Sequence, residues 1–469
     1  MKKMNRTKFI LSLLVLLQVY AAAGQGTQFT RGLPDDPAFF PIAVWLQDPA
    51  DAAAYRAGGI NLYIGLWQGP TAQQIETLRS AGMPVMCSQN ATGLNHLEDS
   101  VIVGWTQQDE PDNAQSDGHG GYDPCIDPEI IKGIYDDLKE KDPSRPVYLN
   151  LGRGVADINW VGRGECTGKT WMYPHYIEGC DIVSYDIYPV TSRDAHVKNN
   201  LWYVAEGIDN LREWSNDEKP VWCWIETTHI SSENKPTPGQ VKSEVWMALI
   251  HGAKGFGYFC HEWVPAFNSN ALLDDPVMFP AVTEINQQIH SLAPVLNAPE
   301  TKDLVSVIST NENVPVDILV KQLQDTLYVF AVAMRDGTTN AVFTIEGLQD
   351  GKVSVIGEDR EISISNGMFE DSFNGYEVHL YRSQYINSGA GQAREQQITV
   401  YPNPGSGYLS VTGENRISKY ALINMAGEVT WLPGYNSERI DLYGYESGVY
   451  MLGTWIDEVP SFHKIIIEN

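Results

Sequence analysis

Eight apolar runs, at residues 40–45, 60–67, 84–88, 101–106, 147–151, 182–188, 221–225 and 256–260, constrain the fold of this chain more than any other feature. Each is nearly continuous rather than alternating, the pattern of strands buried on both faces. Helix signals fall between them. Thr71 with Gln74 and Thr237 with Gln240 form capping boxes, and Pro238 takes the first helical position of the second. Asp127 and Pro128 open a stretch in which Ile130, Ile131, Ile134, Tyr135 and Leu138 share a helical face, and Gly82 suits a helix C-cap. The third helix is marked only by residues 94–97. Strand–helix alternation repeated eight times within residues 38–298 predicts an α/β fold, the (β/α)8 barrel. A doubly wound sheet is the alternative, but no glycine-rich phosphate turn follows the first run.

Past residue 298 the texture changes to seven short runs, at 304–308, 318–322, 327–333, 341–345, 353–356, 361–365 and 376–381, broken by Gly, Asp and Asn. They predict a small β-sandwich over residues 300–383, followed by a polar linker at 384–397 and a further β-module at 398–469. At the other end, Lys2, Lys3, Arg6 and Lys8 precede an apolar run and then Ala21, Ala22, Ala23 and Gly24. Residues 1–24 read as a secretory signal peptide, too short for a mature transmembrane helix. No later run reaches membrane length. A net charge of −27 argues against nucleic acid and anionic membranes as partners.

Six cysteines fit an oxidising compartment without forming a disulfide scaffold. Cys87, Cys223 and Cys260 lie in apolar runs and read as buried thiols; a bridge between Cys125 and Cys166, in loops after neighbouring strands, is left open. No metal-ligand spacing is present, so neither metal nor cofactor is expected.

The chemistry is expected where apolar runs end in acids. Glu110 closes the stretch from Val101 through Asp109, and Glu226 closes that from Val221. In a (β/α)8 barrel residues at strand C-termini point into one common face, and the fourth and seventh strands stand nearly opposite across it. Two carboxylates converging there are the minimum machinery for cleaving a glycosidic bond. Thirteen Trp and 23 Tyr exceed what a plain core needs and suit a sugar-binding surface.

With Glu110-Pro111 ending the fourth strand and Glu226 the seventh, the barrel resembles clan A of the retaining glycoside hydrolases. The resemblance covers about half the chain and implies Glu110 as acid/base and Glu226 as nucleophile. Asp109 departs from the clan's usual Asn, and no Arg ends the second strand, where many members carry one. The resemblance also implies a substrate-binding Tyr188, with Trp263 as subsite floor. Trp45 and Trp67, ending the first two strands, are expected to stack on sugars. Asn150, Arg153, Tyr185, His229, His261 and Glu262, with Asp109, complete the expected substrate-binding set. Each has a plainer reading: strand-end Trp as barrel packing, His229 and His261 as structural histidines, Arg153 paired with a loop acid.

In the last segment, the stretch from Val400 to Pro404, residues 408–411, residues 448–452 and residues 464–467 closely resemble the C-terminal sorting domain of the type IX secretion system of Bacteroidetes. That implies the secretion machinery as a partner and a secreted or outer-surface location. The expected function is a secreted retaining glycoside hydrolase acting on a polysaccharide or its oligosaccharides. The alternatives are a substrate-assisted hexosaminidase using Asp109-Glu110 and a barrel that binds glycans without cleaving them.

Overall fold

A computed structural model describes residues 29–385, 399–401, 405–412, 419–424, 429–432, 439–456 and 459–468. The expected signal peptide and residues 386–397 of the expected linker lie outside them. The chain divides into two compact units, Met1–Ile386 and Asn387–Asn469.

The first unit opens with a closed parallel barrel. Strands β1 (Ile42–Trp45), β2 (Leu62–Ile64), β3 (Val85–Cys87), β4 (Ile102–Thr106), β5 (Val147–Leu151), β6 (Ile182–Asp186), β7 (Val221–Glu226) and β8 (Gly255–Phe259) pair in chain order, and β8 closes on β1. Helices α1 (Ala52–Ala57), α2 (Ala72–Ala81), α3 (Ala91–Leu94), α4 (Pro128–Lys141), α5 (Tyr173–Ile177), α6 (Tyr203–Trp214), α7 (Pro238–Ile250) and α8 (Met278–Leu296) connect them. Both capping boxes form, and Gly82 ends α2 in the left-handed conformation at φ 63°. Two details differ from the sequence reading. The third helix starts three residues earlier, where the Asn90 side chain accepts the Gly93 N–H. On α4, Ile130 is exposed while Pro128, Ile131 and Leu138 are buried, so the buried face runs through Ile131 rather than Ile130.

Inside the barrel, Ala43, Leu62, Ile64, Met86, Val103, Tyr148, Ile182, Trp222 and Trp224 form one buried cluster drawn from seven of the strands. Strand β8 contributes glycine instead. A Cβ on Gly255 would lie 2.5 Å from the Trp222 ring, and one on Gly257 2.2 Å from the Trp224 ring. Two indoles fill the barrel only because the neighbouring strand has no side chains there. A disulfide joins Cys125 to Cys166, tying the loop after β4 to that after β5; Cys87, Cys180, Cys223 and Cys260 are free and buried.

Eight antiparallel strands follow: β9 (Val305–Ser309), β10 (Val316–Leu323), β11 (Thr326–Ala333), β12 (Thr339–Ile345), β13 (Gly351–Val355), β14 (Arg360–Ile364), β15 (Met368–Phe373) and β16 (Val378–Gln384). They form a five-stranded sheet, β10-β11-β16-β13-β14, and a three-stranded one, β9-β12-β15. Strand β15 is absent from the sequence reading because its inward residues are Phe369, Asp371 and Phe373. The middle one breaks the apolar alternation, and its carboxylate is met by Arg360 at 3.0 and 2.7 Å and by Tyr381 Oη at 2.8 Å. The sandwich packs on α7: the Trp246 and Phe330 rings lie 5.1 Å apart, and Ser243 Oγ donates to the Tyr376 carbonyl at 2.5 Å.

The second unit holds a three-stranded and a four-stranded antiparallel sheet around Leu409, Val411, Leu422, Ile440, Leu442, Leu452, Ile465 and Ile467. Among the described residues, no helix is long and apolar enough to cross a membrane.

Candidate active site

Glu110 stands four residues past the end of β4 at a φ of 45°, left-handed backbone that a non-glycine residue rarely adopts. Neighbours over-determine that conformation. The Glu110 N–H donates to the Asn150 carbonyl at 3.0 Å, and the Glu110 carbonyl accepts from Asn113 N at 3.1 Å. Its carboxylate Oε2 takes a further bond from Asn113 Nδ2 at 3.0 Å. Backbone strain held in this way around an acid is characteristic of functional sites.

Facing Glu110 is a carboxyl the sequence reading did not assign. Asp186 ends β6 close to Glu110 and Tyr188, with its Oδ1 buried and unpartnered among the described residues. Burial first, then the Glu110 charge, hold its carboxyl well above the ordinary range. Next to Glu110, Asp109 reaches solvent yet lies deep among protein atoms. Desolvation and then the Glu110 charge push it up to about 7, against the bond from Asn150 Nδ2 at 3.0 Å.

Asn150 is aimed by a chain of hydrogen bonds through the barrel interior. Trp224 Nε1 donates to Tyr148 Oη at 2.9 Å, Tyr148 Oη bonds Ser184 Oγ, and Ser184 Oγ donates to Asn150 Oδ1 at 2.7 Å. The direction runs one way, which fixes the Asn150 amide with its nitrogen toward Asp109.

Glu226 has a different setting. It is fully buried, with Oε1 accepting the Val190 N–H at 2.5 Å and Oε2 the Thr191 N–H at 2.9 Å. Glu244 of α7, also fully buried, lies nearby, and neither of its carboxyl oxygens has a hydrogen-bond partner among the described residues. Burial pushes Glu226 up to about 7, against the two backbone N–H bonds, and holds Glu244 well above its usual range. The electrostatic neighbours of the two acids differ: the Glu110 charge acts on Asp186, and the Glu226 charge on Glu244.

The remaining expected residues divide. The Tyr188, Phe259, Trp263 and Phe267 rings form a continuous aromatic wall, with successive centroids 5.2, 5.5 and 5.7 Å apart. His261 edges against it, and burial lowers its pKa. Trp45 sets an edge on Trp224 with centroids 5.3 Å apart, and Trp67 is 71% exposed in the loop after β2. His229 and Glu262 act through backbone: the His229 carbonyl accepts the Trp263 N–H at 3.1 Å, and Glu262 bridges to Asn268.

Two residues do not meet the expectation. Tyr185 is fully buried, with its hydroxyl on the Val204 carbonyl of α6 and its ring against Gly207, because strand alternation turns it away from the Asp186 side. Arg153 is held by loop acids. It donates to Asp157 at 3.1 and 2.7 Å, pairs with Asp194, and stacks over Trp160 at 4.1 Å, so it offers no uncommitted charge for substrate. The alternation that turns Tyr185 outward was the available signal for Asp186, since Ile182 and Ser184 share its parity.

Residues 399–468 match the family described as the secretion system C-terminal sorting domain, which marks the chain for secretion or cell-surface attachment. No curated protein matches the chain. The chain is similar to the glycoside hydrolase family 30 subfamily 8 xylanase Xyn30A from Clostridium acetobutylicum at 13% identity and a TM-score of 0.39, over 74% of this chain and 95% of that one. It is likewise similar to the α-L-arabinofuranosidase from Thermotoga maritima, at 12% identity and a TM-score of 0.40, over 74% and 96%. AmyP in complex with maltose gives 12% identity and a TM-score of 0.42, over 77% and 93%. Similarity at this level carries no chemistry across, and the reading of the site rests on its own residues.

Proposed function

We propose that the chain is an exported glycoside hydrolase acting on a polysaccharide or its oligosaccharides, with Glu110 and Asp186 as the reacting carboxyls. The observation that carries this is the proximity of Glu110, just past β4, to the unpartnered Asp186 carboxyl at the end of β6, beside a partly exposed aromatic wall. A proton donor and a carboxylate flanking one bond are what glycoside cleavage requires. Burial, then the Glu110 charge, favours the protonated form of Asp186, which suits it to protonate the leaving oxygen. Glu110, held by Asn113, then serves as the carboxylate that attacks the anomeric carbon or activates water. The barrel floor beneath Asn150 orients Asp109 toward a sugar hydroxyl.

The position of Glu226 at the end of β7 favours a second reading, with Glu226 as nucleophile and Glu110 as acid/base. In that reading the Val190 and Thr191 N–H bonds hold the Glu226 carboxylate in place. The hexosaminidase and non-catalytic alternatives have no observation in their favour beyond Asp109 itself. The test is reducing-end release by the full chain from a broad polysaccharide panel, repeated with Glu110→Gln. Release that Glu110→Gln abolishes supports the proposal; glycan binding by calorimetry with no release from any panel member opposes it.

A further inference from the structure

We propose that the barrel mouth is an open cleft for the interior of a long polysaccharide chain, with aromatic subsites on both sides, so that cleavage is endo; the inference rests on the glycosidase reading above. Among the described residues, five aromatic side chains of the barrel segment are strongly exposed: Trp67, Tyr122, Trp171, Trp263 and Phe267. Each lies in a loop that follows a strand. Trp67 comes after β2, Tyr122 after β4, Trp171 after β5, and Trp263 and Phe267 after β8. None lies on a barrel helix or in a loop leading into a strand. Single exposed rings are ordinary on a protein surface, but confinement of all five to the face that carries Glu110 and Asp186 is not. Flat rings on that face are what sugar rings stack on.

The rings fall into two groups. Strands β2 and β5 stand three places apart in the closed ring of strands, so their loops lie on opposed sides of the mouth. Trp67 joins Trp263 and Phe267 on the arc from β8 through β1 to β2, while Tyr122 and Trp171 occupy the arc from β4 to β5. A glycan that touches both arcs crosses the mouth, whereas an exo-acting pocket is closed on one side. Both groups sit on braced loops. The Gln74 amide nitrogen donates to the Trp67 carbonyl at 3.0 Å, and its oxygen accepts the Thr71 N–H at 2.9 Å. On the other side, the Cys125–Cys166 disulfide joins the two loops that carry Tyr122 and Trp171. Trp67 is 71% exposed and Trp171 66%. Rings left in water on loops already fixed lose less freedom when a sugar stacks on them.

The experiment follows viscosity and reducing ends together as the full chain acts on soluble xylan, mannan, mixed-linkage β-glucan and starch. It is repeated with Trp67→Ala and Trp171→Ala, whose exposed positions leave folding intact, as thermal melts check. We expect viscosity to fall steeply while few reducing ends have appeared, with a ladder of oligosaccharides as product. On the polymer that is cleaved, each substitution should raise KM about tenfold, and the penalty should shrink as the substrate is shortened to the smallest oligosaccharide cleaved. Release of a terminal sugar alone with viscosity unchanged would overturn the cleft and leave the glycosidase reading standing. So would a KM penalty that is absent, or equal at every chain length. Reducing ends absent from all four polymers would overturn both.

Discussion

Glu110 in the loop after β4 and Asp186 at the end of β6 stand close together, and burial and then the Glu110 charge hold the Asp186 carboxyl well above the ordinary range. The pair is asymmetric. Glu110 sits on strained backbone with Asn113 on its carboxylate, whereas Asp186 is buried against Tyr188. Different surroundings for two adjacent carboxyls separate the acid from the base.

Asp186→Asn keeps the shape of the site and removes its proton donor. On a substrate with a poor leaving group, kcat should fall by about 10²- to 10⁴-fold, with a smaller loss on activated aryl glycosides. Kinetics on both substrate types check this, and an equal loss on both would count against Asp186 as the acid.

The aromatic wall should act in binding rather than in bond cleavage. Trp263→Ala removes a half-exposed indole stacked on Phe259 at 5.5 Å. We expect KM to rise about tenfold with kcat changed much less, the signature of lost uniform binding. Michaelis–Menten kinetics on the best oligosaccharide separate the two parameters.

The buried Glu226–Glu244 pair makes stability depend on pH. Burial raises both carboxyls, so between the ordinary Glu value of 4.5 and about 7 the folded chain holds protons that the unfolded chain has released. That contribution is full at acid pH and is lost as pH rises through about 7, where Glu226 ionises. Glu244→Gln removes one of the two acids, so the fall in Tm from pH 5 to pH 8 should be shallower than in the wild type. Thermal melts across that range measure it, and a steeper fall in the variant would contradict the account.

The Cys125–Cys166 disulfide closes a segment with a sequence separation of 41 that joins two loops of the mouth. Replacing both with Ser should cost about 2–4 kcal/mol of stability, mostly by freeing the unfolded chain. Urea unfolding of the oxidised wild type and the double variant gives the difference.

The barrel was legible because strands buried on both faces leave continuous apolar runs, and because Thr71, Thr237 and Gly82 punctuate the helices where they stand. Strand β15 was not, since Asp371 points inward to an arginine that no local pattern reveals. At the site, Glu110 was visible as an acid ending an apolar run. Asp186 was passed over inside a tyrosine-rich segment, although its parity with Ser184 turns it inward. What Glu226 touches depends on the path of the segment after β6 and on Glu244 of α7, which a strand-end position does not encode in any local pattern.

The most direct measurement compares reducing-end release by the wild type, Asp186→Asn and Glu226→Gln on the glycan that the panel identifies, with folding of each variant checked by thermal melt. The account predicts that Asp186→Asn loses at least about 10²-fold in kcat while Glu226→Gln stays within about tenfold of the wild type. A folded Asp186→Asn with undiminished turnover, beside an inactive Glu226→Gln, would contradict it and assign the chemistry to Glu226.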